Sequence, residues 1–161
     1  MSEGSVKTQG THLYLIDTAT SSTAALLKMS CPTGISGLGG AAGQIDDTCL
    51  DATEDRSFVR GLGNPGQVTV PFVFKPQAMS HRVLFDLKED GSNLQWLAAL
   101  SDGVAAPTLS SSDGFNVPAD RTCIEFNAYI ADINIDIAND EVVRGTLTLQ
   151  RSGPVVMHWK D

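Results

Sequence analysis

The sequence is poor in cysteine, and this shortage excludes two kinds of small stabilised domain. Its three cysteines, Cys31, Cys49 and Cys123, are odd in number and show no C-x-x-C spacing. A disulfide framework needs paired cysteines, and structural zinc sites are usually built on closely spaced ones. We therefore expect three free thiols buried in the fold, where cysteine behaves as a small apolar residue.

Basic residues and long apolar runs are also scarce. The chain has 11 Lys and Arg against 19 Asp and Glu, a formal net charge of −8. A nucleic-acid-binding protein held by phosphate contacts needs basic patches, so this class is not expected. No apolar run approaches the roughly 18 residues of a membrane span, and residues 1–10 lack the apolar core of a signal peptide. The sequence therefore predicts that the protein does not contact a membrane. It also predicts that the protein is synthesised and folds in the cytosol.

The apolar content that is present suffices for one domain. The chain has 161 residues, of which 42% are hydrophobic. We predict a single domain over residues 1–161, with the polar residues 1–10 as a flexible N-terminal arm. The only tryptophans and tyrosines are Trp96, Trp159, Tyr14 and Tyr129, so an aromatic platform for binding carbohydrate is poorly supplied.

Alternating apolar and polar residues predict a mainly β fold. In residues 67–75 the side chains of Val68, Val70, Phe72 and Phe74 fall on one face of an extended chain, which indicates a strand with one dry side. The same pattern and the turn signals around it predict strands at 13–15, 23–29 and 94–100, a turn at 17–22 and an irregular connection at 105–120.

The alternation slips once inside the long apolar stretch 122–137. Polar residues fall first on odd positions, at Glu125 and Asn127, and beyond residues 128–131 they fall on even positions. A slip of this kind indicates a bulge or bend within one long strand. Residues 144–150 alternate without a slip and predict a partner strand, so that both strands carry one hydrophilic face.

One amphipathic helix is expected after Pro76, which suits the first position of a helix. Glu89-Asp90-Gly91 would end it, and His81 is expected on its surface. A single helix in a β-rich chain buries its stripe against an open face or edge of the sheet. The predicted stripe consists of Met79, Val83, Leu84 and Leu87.

The segment from Gly37 to Arg56 is too long for an ordinary connection, which spans about 4–6 residues. Its glycines let the backbone turn freely, and residues 44–46 and 48–50 then alternate as in a strand. We predict a protruding β-arm that has little core of its own.

Residues in and after this segment resemble a known family. In their order and spacing they are similar to the major tail tube proteins of phages with long, non-contractile, lambda-like tails, and the resemblance runs from about Leu13 to Leu149. It implies a ring-forming, tail-tube-type β-sandwich or barrel, with one helix flanking the sheet and a long protruding β-arm loop. The motifs that carry it are ISGLGG at 35–40, QID at 44–46 with Thr48, FVRGL at 58–62 and PG at 65–66.

The resemblance also implies a function. Six subunits would form a ring, and rings would stack through residues 37–56 into the conduit for genome ejection. The implied partners are further copies of the chain and the tape-measure, tail-tip and tail-terminator proteins, in a virion tail assembled in the bacterial host cytoplasm. The inter-ring stacking candidates are Leu38, Ile45, Asp46, Thr48, Leu50, Glu54 and Arg56.

The candidates for the lumen are hydrophilic strand residues. An acidic or neutral lining repels phosphates, so DNA would pass through without specific binding. These candidates are Gln67, Thr69, Asp132, Asn134, Asp136, Thr146, Thr148 and Gln150.

Several enzyme-like patterns fail on context. G-x-G-x-x-A at 37–42 and G-x-G-x-x-G at 61–66 open no predicted helix, as a dinucleotide fingerprint must. Residues 132–136 resemble a calcium loop, but Ile137 and Val143 replace its glycine and glutamate. The acidic residues of 46–55 are typical of a solvated or docking surface. The histidines show no ligand spacing. We predict no catalytic residue, no cofactor, no metal site and no enzyme.

The residues alone leave alternatives open. The hydrophilic strand faces also fit the solvated face of a sandwich that never forms a ring. A monomeric β-sandwich that binds a carbohydrate or another ligand through its long loops is one alternative function. A tube protein of a contractile tail or secretion system, with the same ring-forming fold by family analogy, is the other.

Overall fold

The structure of the protein is a computed structural model, in which residues 4–19 and 22–161 are described. Part of the predicted turn at 17–22 and the first three residues of the predicted N-terminal arm lie outside these residues. The described chain forms β1 (His12–Asp17), β2 (Ala25–Lys28), β3 (Gly40–Asp46), β4 (Phe58–Pro65), β5 (Gln67–Val73), α1 (Met79–Asp90), β6 (Leu94–Ala99), β7 (Thr108–Leu109), β8 (Phe115–Asn116), β9 (Cys123–Asp136) and β10 (Arg144–His158).

One antiparallel sheet of six strands organises the molecule, in the order β2-β1-β6-β9-β10-β5. One of its faces is apolar and packs against α1. Burial of Val68, Val70 and Phe72 on this face confirms the predicted dry side of β5. Trp96 lies at the centre of the core, where its indole Nε1 donates to the carbonyl oxygen of Ala128 at 3.1 Å. The prediction of a mainly β fold with one flanking helix is confirmed.

The sheet curls until its two edges meet one segment of chain. Residues 31–36 run along the outer edge of β5, where Ser36 and Thr69 exchange backbone hydrogen bonds of 3.0 and 2.9 Å. Only residues 29 and 30 separate Cys31 from Lys28 at the end of β2, a span of at most about 11 Å. The chain therefore passes directly from one edge of the sheet to the other, which gives a half-barrel and covers an otherwise unpaired edge.

Helix α1 begins later than predicted. Pro76 lies in the preceding turn, and Ala78 is the N-cap, with extended backbone and no side-chain cap. Gly91 ends the helix as predicted, in the left-handed conformation that glycine tolerates best, with its N–H bonded to the carbonyl of Leu87 at 3.0 Å. Met79 is 67% exposed, so the predicted stripe was wrong at its first residue. Leu84 and Leu87 are buried as expected.

The prediction that His81 lies on the helix surface was wrong. The residue is 1% exposed, and its ring packs against Phe72 and Phe74 at centroid distances of 4.9 and 6.0 Å. Its Nδ1 accepts a hydrogen bond from the backbone N–H of Lys75 at 3.0 Å, so Nε2 carries the proton and donates to the Ser30 carbonyl at 2.6 Å. Both nitrogens are satisfied, which is what makes burial of this ring tolerable.

The predicted slip in β9 is a β-bulge, and the prediction is confirmed. Leu149 of β10 pairs with Ile130 and Thr148 pairs with Asp132, so Ala131 is the extra residue. Ile130 and Ile133 both face the core as a result. Strand β10 continues well past the predicted end at Gln150 and contains a second irregularity after Ser152.

Two smaller expectations were wrong. The connection at 105–120 contains the short hairpin β7–β8. Phe115 of this hairpin and Val117 after it cover a second apolar cluster on the other face of the sheet, which consists of Tyr14, Leu97, Ala99 and Cys123. Of the cysteines, only Cys123 is buried, whereas Cys31 and Cys49 are exposed. Cys31 begins the segment 31–36 along the edge of β5, and Cys49 lies in the connection between β3 and β4. No helix among the described residues is long and apolar enough to cross a membrane.

Candidate functional site

The predicted lumen residues share one surface. Thr148 of β10 lies opposite Asp132 of β9 on one side and Thr69 of β5 on the other, and the remaining residues follow in the same register. This surface is the side of the sheet opposite the main core, since Leu147 and Leu149 between them are buried. We call it the hydrophilic face; it consists of Gln67, Thr69, Asp132, Asn134, Asp136, Thr146, Thr148 and Gln150.

The charges on the hydrophilic face are few and mostly negative. Asn134 Nδ2 donates to Asp136 Oδ1 at 3.0 Å, which fixes that carboxylate along the strand. Arg144, which alternates with Thr146 onto the same side of β10 but is not among the predicted lumen residues, lies opposite Asp136 in the register. Asp132 is 3.6 Å from Nζ of Lys88 on α1. This ion pair is possible because β6 pairs with β9 only as far as Ala128, which leaves an open edge beyond it. The face is therefore weakly acidic and has no row of cations to hold phosphate.

The predicted β-arm is a two-stranded hairpin, but it is longer than residues 37–56. Strand β3 pairs with β4 from Gly40 opposite Pro65 to Asp46 opposite Phe58. We call residues 40–65 the arm. The sequence did not predict β4 as part of the arm, because the glycines and the proline of this strand are typical of turns. Residues 48–50, which alternate in the sequence, lie in the connection and form no strand.

The arm exposes apolar side chains on its strands. Ile45 and Val59 are cross-strand neighbours, and both are about half exposed, as is Phe58. Leu62 is 91% exposed. Exposed apolar side chains that cluster on one element indicate a surface that another protein covers. Of the stacking candidates, Ile45 and Asp46 lie in β3, and the exposed apolar residues Phe58, Val59 and Leu62 of β4 are not among the candidates.

The connection between the two arm strands, residues 47–57, is the tip. Thr48 closes it, because its hydroxyl accepts from the N–H of Ser57 at 2.8 Å. Hydrogen bonds from Thr48 lower the pKa of Asp46, which also lies 3.6 Å from Nη1 of Arg56. Among the described residues no group of three or more potential ligands could hold a metal ion. The other stacking candidates at the tip are Leu50 and Glu54, both exposed.

At its base the arm is fastened to β10. Nη1 of Arg151, a side chain that is 5% exposed, donates to the carbonyl oxygens of Gly37 and Gly39. Leu38 lies between these glycines and packs partly buried against the main core. This stacking candidate therefore belongs to the base, at the opposite end from the tip.

Comparison with known proteins identifies the family of this chain. A family model described as "Phage tail tube, TTP, lambda-like" matches residues 4–161. The chain belongs to the lambda-like phage tail tube family. Structural protein 3 of Pseudomonas phage PAJU2 is 39% identical over 156 residues, which cover 94% of this chain and 93% of that protein. The predicted family and the predicted role as a structural tail tube subunit are both confirmed.

Solved structures share the fold of this tail tube protein at low sequence identity. A chain of the SPP1 tail tube structure matches with a TM-score of 0.62 and 13% identity, over 95% of this chain and 80% of that one. A sheath/tube terminator of an extracellular contractile injection system matches with a TM-score of 0.67 and 12% identity, over 99% and 100%. The fold is therefore shared with a chain of a tail tube and with a chain of a contractile injection system.

Membership of the family makes this protein a structural component of the phage virion tail. A monomeric carbohydrate-binding module has no support from these relatives. The family is defined by its structural role, which agrees with the prediction that the chain is not an enzyme.

Proposed function

We propose that six copies of this tail tube protein close into a ring with the hydrophilic face turned inward, and that rings stack through the arm. The observation that carries the proposal is the register of β9, β10 and β5, which puts eight hydrophilic side chains on one side of a curled sheet. An antiparallel sheet with one dry side leaves its other side to water. In a closed ring that side becomes the wall of a water-filled bore.

The charge of this wall suits the passage of DNA. Asp132 and Asp136 repel phosphates, while Arg144 lies across from Asp136 and Lys88 lies beside Asp132. The wall therefore lacks the unpaired cations that would bind DNA by releasing counterions. DNA would slide through the bore without a specific site.

The arm supplies the contact between rings in this proposal. Its exposed apolar strands gain free energy only when another copy covers them, at about 25 cal/mol per Å². The two ends of the finished tube would meet the tail-tip and tail-terminator proteins, and the bore would hold the tape-measure protein until ejection. Assembly would take place in the cytoplasm of the bacterial host.

A tube within a contractile machine is the second candidate, because the chain shares its fold with a contractile injection system as well as with a tail tube. The two candidates differ in the outer surface of the tube, which only a contractile machine covers with a sheath.

Electron microscopy of the purified protein tests the proposal. We expect tubes with six-fold symmetry, after seeding with tail-tip complexes if polymerisation does not start spontaneously, and a reconstruction with the hydrophilic face inside. Tubes with this face on the outer surface, or a seeded protein that stays monomeric, would refute it. A virion tail without a sheath distinguishes the non-contractile candidate from the contractile one.

A further inference from the structure

Two arginines of this protein are almost fully buried, and they differ in how well they are satisfied. Arg121 is 1% exposed, and all three of its guanidinium nitrogens donate hydrogen bonds, including those to Leu100 and Ala105. Arg151 is 5% exposed, but only Nη1 donates. Its Nε is buried without a partner among the described residues, and no carboxylate there forms an ion pair with it.

The incomplete bonding of Arg151 is costly within a single chain. A buried charge without a counter-charge loses its hydration and gains little in return. Nε and Nη2 form one edge of the guanidinium, and this edge matches the two oxygens of a carboxylate. Nη1 is held by the base of the arm, so the unused edge has a fixed orientation.

Arg151 lines an open recess of about 510 Å³ at the base of the arm. A Cβ at Gly40 would lie 3.8 Å from Nη2, so glycine at this position leaves the guanidinium uncovered. Leu38, Leu62, Pro154 and Val155 supply mostly apolar walls. When a partner covers the recess, walls of this kind exclude water and strengthen a charge pair formed inside them.

The tip of the arm carries the complementary chemistry. Asp47, Asp51, Glu54 and Asp55 are exposed there, and the one basic residue of the tip, Arg56, is already near Asp46. Leu50 extends fully into solvent among these carboxylates. An acidic tip with one apolar side chain thus matches a basic recess with apolar walls.

We infer that the recess around Arg151 is the socket for the acidic arm tip of a second copy of this chain in the neighbouring ring. The inference rests on the proposed stacking function and names its partner surface. A strand of seven residues spans about 24 Å, so a tip cannot reach the base of its own arm. The contact is head-to-tail, and each copy offers one tip and one socket, so it propagates from ring to ring.

Cross-linking tests the contact directly. The tip already carries an exposed cysteine, Cys49, and a Cβ at Gly63 in the socket would meet nothing within 4 Å. In a Cys31→Ser background we expect the Gly63→Cys variant to form covalent ladders in assembled tubes after mild oxidation, and none as monomers. Asp86→Cys, on the exposed side of α1, is the matched control and should stay monomeric on the same gel. Tubes without ladders from position 63 would overturn the socket but leave stacking intact, whereas failure to form any tube would refute the proposed function instead.

A double-mutant cycle tests the charge pair. Glu54→Gln with Asp55→Asn should raise the critical concentration for tube formation about tenfold, and Arg151→Gln should do the same. All three substitutions together should raise the critical concentration little more than either set alone. Asp86→Asn with Glu89→Gln removes the same charge elsewhere and should have no such effect. Full additivity of the two sets, in variants whose monomers unfold at the wild-type temperature, would contradict a direct contact.

Discussion

Nε2 of His81 lies 2.6 Å from the carbonyl oxygen of Ser30 and donates a hydrogen bond to it. Ser30 is the point where the chain leaves β2 for the edge of β5, and the hydroxyl of Ser80 binds the backbone N–H of the same residue at 3.2 Å. Helix α1 thus holds the crossing that joins the two edges of the half-barrel. Closure of the sheet depends on polar contacts from the helix as well as on apolar packing.

Replacing His81 by alanine should therefore destabilise the fold strongly. The change leaves the Ser30 carbonyl and the Lys75 N–H without partners and opens a cavity beside Phe72, which together cost about 2–4 kcal/mol. Urea unfolding of the monomer measures the loss. Asp86→Ala, on the exposed side of the same helix, should stay within about 0.5 kcal/mol of wild type. Equal effects of the two substitutions would show that the crossing needs no helix contact.

Shortening the arm should abolish assembly and spare the fold. Deletion of residues 46–55 removes most of the tip, and none of the deleted residues packs against the main core. We expect a monomer whose Tm lies within about 3 °C of wild type and which forms no tubes under the microscope. Leu62→Ser is a milder variant that keeps the hairpin and should weaken polymerisation. Normal tubes from the deletion would refute a stacking role for the arm.

Reversing the charge of the hydrophilic face should affect delivery more than assembly. Asp132→Lys with Asp136→Lys places cations where the bore wall is proposed, and DNA phosphates would bind them. We expect tubes of normal length and infectivity reduced by about tenfold or more. Asp86→Lys with Glu89→Lys makes the same change on the exposed side of α1 and should leave infectivity unchanged. If both pairs behave alike, the hydrophilic face does not line the bore.

The carboxylate of Asp102 should contribute stability that depends on pH. Burial raises the pKa of this carboxylate. Two hydrogen bonds that Thr122 donates to it, from Oγ1 at 2.6 Å and from the backbone N at 3.0 Å, lower the pKa, and so does the positive charge of Lys160. The lowering effects are larger in sum, so the pKa lies below its ordinary value of 3.8. A lowered pKa stabilises the fold above the ordinary value, and this contribution is lost as pH falls through the folded-state value.

Asp102→Asn should therefore cost about 1 kcal/mol at pH 7. The difference from wild type should shrink as the pH is lowered below 3.8. Urea unfolding of the wild type and the variant at pH 7 and pH 3 measures the difference in the free energy of unfolding at each pH. A constant difference across this range would show that the charge of Asp102 plays no part.

The strands with regular alternation could be predicted because period-two patterning reports directly on a sheet with one dry side. The bulge at Ala131 was predictable for the same reason, since an extra residue must reverse the phase of every residue after it. Strand β4 was not assigned to the arm, because its glycines carry no apolar pattern and its pairing with β3 is a long-range choice.

Burial of polar side chains was beyond the reach of sequence patterns. His81 and Arg151 are buried because distant backbone groups, at Ser30 and Gly37, happen to receive their hydrogen bonds. Arg144 lies on the hydrophilic side of β10 by the same alternation as Thr146, but its position opposite Asp136 follows from the register, which a single strand does not specify. Residues of the candidate assembly surfaces could thus be predicted where their positions follow from the pattern of one strand. They could not be predicted where their positions depend on which distant segments of the chain meet.

The placement of acidic tip and basic socket at opposite ends of one hairpin gives any stack built through them a direction. At one end of such a tube the acidic tips have no socket to bind, and at the other end the basic sockets have no tip bound in them. The protein that starts the tube and the one that stops it must therefore differ in chemistry, because each recognises a surface that the other never sees.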